Sequence, residues 1–376
     1  MKILVIQFKK IGDDIVTSAL CNNLRSCFPD AQIDYCLKEH SAELFEHHAC
    51  INEVIPVSRA ELKKPLQYLR KAWRVSRKRY DIIIDANASG KGVLFSFLSP
   101  GSKHRISRRK GVLGNLFYSD RVLWEYPPGD ELHPVVDFLS PLHEDQSIGA
   151  KTPPISLSVS DRERQDMREI MTQCGVDFDR PVFAISASAK DPAKSWHQEK
   201  MVTLAKHCLD QYGAQLVAFS GMPHEQQQIR EFHQAVGVNS DVFSNVPTRK
   251  LSSLMALLSN CDLFLGNAAG ARWIAQGIGL PSVAVVYPGD RRVDCLPMGD
   301  RLHKMVRWQD CSDEANVADV TTVDKQNDWA ELYDRIQPQH VIPVLDQLVK
   351  IHVTKGACQT AAKPSGYRSE ITGCHP

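Results

Sequence analysis

Lys2-Ile3-Leu4-Val5-Ile6-Gln7-Phe8, followed by Lys9-Lys10-Ile11-Gly12-Asp13-Asp14, decides the reading of this chain. The first seven residues are apolar and rich in Ile and Val, the composition of a strand buried on both faces. The run breaks at Lys9 to Gly12, and Asp13 or Asp14 then stands where a helix is capped. Val16, Leu20 and Leu24 recur at every fourth position with Ala19 beside them, so the helix lays one apolar face on the strand. Phe28-Pro29-Asp30 stops it. Strand, glycine turn and capped helix describe the opening of a nucleotide-fold domain. Asp13 is the unusual residue, a carboxylate at the strand's C-terminal end, where open α/β sheets place their ligands.

Composition sets the outer limits. The 376 residues suffice for two α/β domains, each with its own core. Residues 1–150 and 161–350 are the expected domains, and the aperiodic residues from 351 onward read as a flexible tail. His143 to Ser160 is polar, with Gly149 and Pro153-Pro154, and reads as the interdomain linker. Apolar content of 43% is ordinary, and no apolar run approaches the ~20 residues that span a bilayer. Lys9 arrives too soon for a signal peptide, so a cytoplasmic protein is expected. The eleven cysteines are scattered, with no C-x-x-C pair, and read as reduced thiols. Cys50 with Glu46, His47 and His48 imitates a metal site, but a helix end facing solvent is the reading adopted, with no metal.

Charge is unevenly spread. Residues 1–110 hold 20 Lys/Arg against 11 Asp/Glu, a net +9, which leaves −8 for the remainder. After Arg59, eight further cations from Lys63 to Arg79, including Lys64 and Arg70, interleave with Leu66, Leu69, Trp73 and Val75. A solvated helix face is the plain reading. The functional one is a surface for an anionic glycolipid or membrane. No stacking-aromatic or helix-turn-helix pattern accompanies the charge, so nucleic acid ranks last.

Strand and helix signals alternate along the rest. Ile33–Leu37, Val54–Val57 and Tyr80–Asp85 read as strands, the last opening into the polar loop Asn87-Ala88-Ser89-Gly90-Lys91-Gly92. A second series begins with Pro181–Ile185, which opens into Ser186-Ala187-Ser188-Ala189-Lys190-Asp191 and then Lys194-Ser195-Trp196. An amphipathic helix is expected from about Gln198 to Gln211, and a strand over Gln215–Ser220 ends in Gly221-Met222-Pro223-His224-Glu225. Asp262–Gly266 and Ser282–Val286 bracket Asn267-Ala268-Ala269-Gly270 and a short helix. Two doubly wound halves imply a cleft between them, the default place for a ligand.

Taken in order, these segments resemble glycosyltransferase family 9, the lipopolysaccharide heptosyltransferase family, over nearly the whole chain from Lys2 to about Lys350. Ile11-Gly12-Asp13-Asp14-Ile15 matches its G-D motif, and Phe28-Pro29-Asp30-Ala31-Gln32-Ile33-Asp34 its F-P-D-A-x-I-D segment. Lys194-Ser195-Trp196 resembles its K-x-W motif, and Gly221 to Glu225 its G-x-x-x-E turn. The resemblance implies the GT-B architecture, two Rossmann-like domains around a cleft, and an inverting transfer. One departure is pronounced. Where the family reads G-N-D-T/S-G-x-x-H, this chain reads Gly266-Asn267-Ala268-Ala269-Gly270-Ala271-Arg272-Trp273. Ala268 replaces the acid, Ala269 the hydroxyl and Trp273 the histidine that contact the nucleotide sugar in the family.

Sugar transfer needs a base for the acceptor hydroxyl and positive groups for the departing diphosphate. Asp13 is the expected base, and helix capping is its plain alternative. Lys194 is the expected diphosphate contact, with Ser186 and Ser188 as hydrogen-bond donors, where a solvated loop lysine is the plain reading. Asn267, Gly270 and Arg272 complete the expected donor site, the helix amides from Gly270 receiving phosphate. Glu225 holds the ribose hydroxyls by resemblance, or is otherwise a first-turn helix acid. Lys10, Lys63, Lys64, Asn87 and Lys91 are the expected acceptor contacts. No D-x-D stands in an obvious phosphate loop, so no metal or other cofactor is expected, with a nucleotide-diphosphate sugar, ADP-heptose among the candidates, as substrate. The expected partners are that donor, an anionic glycolipid acceptor and the inner membrane as a peripheral surface. A non-catalytic GT-B relative binding glycolipid or a partner protein is the alternative, and a sugar-nucleotide epimerase ranks below both.

Overall fold

The computed structural model describes residues 1–108, 111–122, 134–142, 154–189, 191–219, 225–237, 241–268, 270–290, 302–311 and 328–353. The first half runs β1 (Lys2–Gln7), α1 (Ile11–Cys27), β2 (Gln32–Lys38), α2 (Glu39–Ala42), β3 (Glu53–Val57), α3 (Arg59–Lys63), α4 (Pro65–Ser76), β4 (Ile82–Asp85), α5 (Gly90–Phe97), β5 (His104–Ser107), α6 (Val112–Phe117) and β6 (Asp120–Arg121). The second runs α7 (Asp161–Gln173), β7 (Val182–Ser186), α8 (Gln198–Tyr212), β8 (Gln215–Ala218), α9 (Glu225–Val236), β9 (Val242–Phe243), α10 (Leu251–Leu258), β10 (Leu263–Asn267), α11 (Gly270–Gly277), β11 (Ser282–Val285) and β12 (His303–Val306). Two helices close it, α12 (Asp328–Arg335) and α13 (Pro338–His352).

Each half builds one six-stranded sheet, ordered β3-β2-β1-β4-β5-β6 and β12-β11-β10-β7-β8-β9, and every pairing is parallel. The expected doubly wound GT-B architecture is therefore present. Chain order reverses between β1 and β4 and again between β7 and β10. A crevice opens at such switch points, outside the strands' C-terminal ends. Asp13, Asn87, Ser186 and Asn267 follow or end these four strands.

The apolar periodicity of α1 is realised as read: Val16, Ala19, Leu20 and Leu24 are all buried against the first sheet. One apolar cluster then continues without a break from α1 and β1 to α7, α10, α11 and β10 of the second half. The halves are thus joined behind the crevice by packed side chains as well as by the connecting segment. That segment's end is itself buried. Ser156 N donates to Ser18 Oγ at 3.0 Å, Asn22 Nδ2 to Pro154 O at 2.8 Å, and Leu157 N to Gly277 O at 2.7 Å. The expected polar linker, His143 to Ser160, is at its C-terminal end a wedge between α1 and α11, because Ile155 and Leu157 have an apolar surface to enter. Its residues 143–153, like the tail from 354 onward, lie outside the described residues.

His48 departs from the reading made for it. It is 4% exposed, stacks near Phe45, and its Nε2 lies 3.0 Å from Ser156 Oγ. It is a buried tie to the interdomain segment, not part of a helix end facing water. Cys21, Cys36, Cys208 and Cys261 are buried free thiols, as their scatter implied.

Candidate active site

The first turn of α1 forms one wall of the crevice. Lys10, in extended conformation, is the N-cap, so neither Asp13 nor Asp14 occupies that position. Asp13 is the third helical residue and reaches back, its Oδ2 accepting from Lys10 N at 3.3 Å. Its Oδ1 lies 3.6 Å from Lys9 Nζ, and its side chain stays 36% exposed. Capping thus leaves it open to solvent at the mouth of the crevice. Asp14 turns inward and is fully buried, and neither of its carboxyl oxygens finds a hydrogen-bond partner among the described residues. Burial pushes its carboxyl up to about 8, the nearby Asp13 adding and Ser41 and Lys38 opposing.

A second wall is the loop after β4. Buried Asp85 accepts from Asn87 N at 3.1 Å and Ala88 N at 3.0 Å through Oδ1, and from Tyr118 OH through Oδ2. Ala88 sits at φ 53°, a left-handed turn residue that those two bonds hold in place. Gly92 is obligatory, since a Cβ there would stand 2.1 Å from the Asp85 carboxylate. Asn87 hydrogen-bonds Ser89 and is largely buried, whereas Lys91 is exposed on the first turn of α5. Lys10, Lys63 and Lys64 are exposed as well. The organiser of this loop, Asp85, was missed in the sequence. Its signal was a carboxylate ending a buried strand two residues before Asn87.

In the second half, Ser186 ends β7 and its Oγ donates to Ser188 O at 3.3 Å. Lys194 is ion-paired rather than merely solvated: Nζ lies 3.2 Å from Asp290 Oδ1 and 4.8 Å from the Tyr287 ring centroid. Asn267 is wholly buried and holds this corner together. Its Oδ1 accepts from Trp196 N at 2.7 Å and Tyr333 OH at 3.4 Å, and its Nδ2 donates to Ser186 O at 3.0 Å. Gly266, at φ 127°, lets β10 approach β7 so closely that a Cβ would lie 2.4 Å from Ser186 O. Glu225 opens α9 and is buried, while Gly221–His224 before it and Ala269 before α11 lie outside the described residues.

The first turns of α1 and α11 meet. A Cβ on Gly270 would be 3.6 Å from Ile11 Cγ2, and one on Gly12 would be 2.6 Å from Trp273 Nε1. Trp273 therefore lies directly on the backbone beside Asp13. Arg272 is buried and stacks its guanidinium 4.5 Å from the Trp273 ring centroid. Nothing in the local pattern around either residue signals this contact across the halves.

The sequence model of glycosyltransferase family 9 (heptosyltransferase) matches residues 69–320, two thirds of the chain. The chain belongs to glycosyltransferase family 9. It is similar to lipopolysaccharide heptosyltransferase 2 of Escherichia coli K12, 25% identical over 303 residues, which cover 77% of this chain and 83% of the relative. Lipopolysaccharide heptosyltransferase 1 of the same strain is 21% identical over 300 residues, 77% and 89% of the two chains. Among solved structures, a family 9 protein of Veillonella parvula has a TM-score of 0.78 at 17% identity, covering 93% of this chain and 97% of that one. Escherichia coli ADP-heptose lipopolysaccharide heptosyltransferase II has a TM-score of 0.72 at 21% identity, over 93% and 99%. This family 9 member is accordingly a glycosyltransferase of the heptosyltransferase type, divergent at Ala268 and Trp273.

Proposed function

We propose that this enzyme moves a heptose or related sugar from a nucleotide-diphosphate donor to the lipopolysaccharide core, with inversion and without a metal. The observation that carries the proposal is the exposed Asp13 carboxylate on the first turn of α1, beside the place where that turn meets the first turn of α11 through Gly12 and Trp273. In this reading Asp13 takes the proton of an acceptor hydroxyl as its oxygen attacks the anomeric carbon. The bond from that carbon to the diphosphate breaks, and its electron pair leaves with the diphosphate. Lys194, Ser186, Ser188 and the amides from Gly270 receive that charge, with Arg272 adding to the local field. Lys194 is held ready by Asp290 and Tyr287. Glu225 takes the ribose hydroxyls, and Asn267 positions the β7–β10 corner. Lys10, Lys63, Lys64, Asn87 and Lys91 face a phosphorylated acceptor presented at the cytoplasmic side of the inner membrane. Relatives named lipopolysaccharide heptosyltransferase support the acceptor class, and the solved neighbour named Escherichia coli ADP-heptose lipopolysaccharide heptosyltransferase II supports the nucleotide. The lack of a D-x-D in an obvious phosphate loop supports metal-independent chemistry.

Thermal shift against ADP, GDP, UDP, CDP and ADP-heptose tests the donor, since a ligand of the native state stabilises it by RT ln(1 + [L]/Kd). A selective rise with ADP-heptose is expected, and Asp13→Asn is expected to keep that rise while losing transfer by about 10²-fold or more. No rise with any nucleotide, from folded protein, would favour the non-catalytic glycolipid-binding alternative.

A further inference from the structure

Eight large apolar side chains are exposed among the described residues: Met1, Leu66, Leu69, Trp73, Phe97, Val112, Leu116 and Ile351. Six of them lie on three neighbouring helices. Leu66, Leu69 and Trp73 are on α4, Phe97 is on α5, and Val112 and Leu116 are on α6. Tyr68, Ala72 and Val75 of α4 and Phe95 of α5 enter one core beneath β1 and β4, so both helices turn their opposite faces the same way. Phe97 meets Phe117 of α6 edge to face at 5.5 Å. On α4 the exposed face carries three large apolar side chains although the buried face is already satisfied, with Leu66 at 81%, Leu69 at 43% and Trp73 at 51% exposure. Scattered exposed leucines need no explanation, but a cluster of this kind does.

The charge around the cluster has one sign. Between Glu61 and Asp120 the sequence holds fourteen Lys and Arg and two acids, Asp81 and Asp85. Neither acid is on the three helices: Asp81 accepts from Lys2 N at 2.7 Å, and Asp85 is buried at the end of β4. Arg70, Arg74 and Arg77 share the exposed side of α4 with its apolar residues, and Arg77 stacks 4.9 Å from the Trp73 centroid. A second copy of the chain would set like charges face to face. Nucleic acid answers the charge but offers nothing to exposed leucines. An anionic bilayer satisfies both, taking aliphatic and Trp side chains at the headgroup boundary and pairing Arg with phosphate.

We propose that α4, α5 and α6 form a face that lies on an anionic lipid bilayer, with Leu66, Leu69, Trp73, Phe97 and Leu116 entering its interface. The inference deepens the proposed function, and rests on it for the membrane-borne acceptor. The face adjoins the expected acceptor residues: Lys64 caps α4, Lys91 is in the first turn of α5, and Tyr68 OH donates to Lys91 O at 2.8 Å. Binding on this face holds the acceptor side of the crevice at the lipid surface.

Cosedimentation of the full chain with phosphatidylglycerol–phosphatidylethanolamine vesicles, against phosphatidylcholine vesicles, tests it. Binding to the anionic vesicles alone is expected. Leu66→Ser/Leu69→Ser/Trp73→Ser and, separately, Arg70→Gln/Arg74→Gln are each expected to weaken it by at least about tenfold at unchanged Tm, because both apolar entry and charge contribute. Equal binding by the apolar variant, a wild type that ignores anionic vesicles, or a preference for RNA over vesicles would each overturn the proposal. The same preparations are titrated with ADP-heptose. A thermal shift without vesicle binding overturns the lipid face alone, whereas vesicle binding without a shift overturns the transferase reading alone.

Discussion

Asp14 and His48 are buried groups whose titrations pull in opposite directions. Burial holds the Asp14 carboxyl at about 8 in the folded chain, against 3.8 for an ordinary carboxyl, so the native state keeps a proton that the unfolded chain releases. Stability from this group is whole below pH 3.8 and falls as pH rises toward 8. Burial lowers His48 from 6.5 to about 4, so the unfolded chain takes up the proton first. Its contribution is whole above pH 6.5 and is lost as pH falls toward 4. Between pH 4 and 6.5 the Asp14 slope is outweighed by those of His48 and of His303, which burial lowers from 6.5 to about 3, and between 6.5 and 8 only the Asp14 slope of the three remains. Urea unfolding is therefore expected to show stability falling from pH 6.5 to 8 by at most about 1.4 kcal/mol per pH unit. Asp14→Asn is expected to flatten that fall and raise stability at pH 8, and an unchanged slope would show that Asp14 is ionised in the fold. His48→Gln is expected to reduce the acid-side loss between pH 6.5 and 4.

The elements that matter most meet end to side across the halves. Gly12 is in the first turn of α1, where alanine is ordinarily the better helix residue by about 0.8–1 kcal/mol. Trp273 reverses that preference, because its Nε1 stands 2.6 Å from where the new Cβ would be. Gly12→Ala is expected to destabilise by about 1–3 kcal/mol through overpacking. In a Trp273→Ala background the same change is expected to be neutral or stabilising. A double-mutant cycle in chemical denaturation measures this, and additive effects would show that the contact is not made in solution. Glu43 does comparable work at the start of α10, its Oε1 accepting from Leu251 N at 2.7 Å and Oε2 from Ser252 Oγ at 2.9 Å. This carboxylate, from the first half, satisfies the helix end of the second. Glu43→Ala is expected to lower stability by about 1–2 kcal/mol, read in the same denaturation experiment.

At the scale of the molecule, the shared apolar core determines how the halves behave. One cluster holds side chains of β1, α1, α7, α10 and α11, with α1 packed on α11 and Leu157 seated so closely that a Cβ on Gly277 would be 2.7 Å from its Cγ. Two domains joined only by a polar linker would unfold separately. Here circular dichroism and tryptophan fluorescence are expected to report one coincident transition, and Gly277→Ala to lower its midpoint. Two resolved transitions would show that the core is not continuous in solution. Among the described residues no helix is long and apolar enough to cross a membrane.

What the sequence determined was local and periodic. The runs at Lys2–Phe8 and Pro181–Ile185, and the four-residue recurrence of Val16, Leu20 and Leu24, state which faces are buried, and the fold class follows from their alternation. Asp13 and Lys194 were legible as candidates because strand ends and first helical turns mark themselves with glycines and charges. Tertiary structure decided what each face is buried against. Lys10 is a poor N-cap by type, yet the chain path places it there and leaves Asp13 to reach back. His48 reads as a surface histidine until Ser156 arrives from more than a hundred residues away. The seating of Trp273 on Gly12 joins residues in different halves, and no short-range pattern encodes it. Periodicity records that a side chain leaves water, but its partner is selected by the packing of whole elements, where close contact and shape decide.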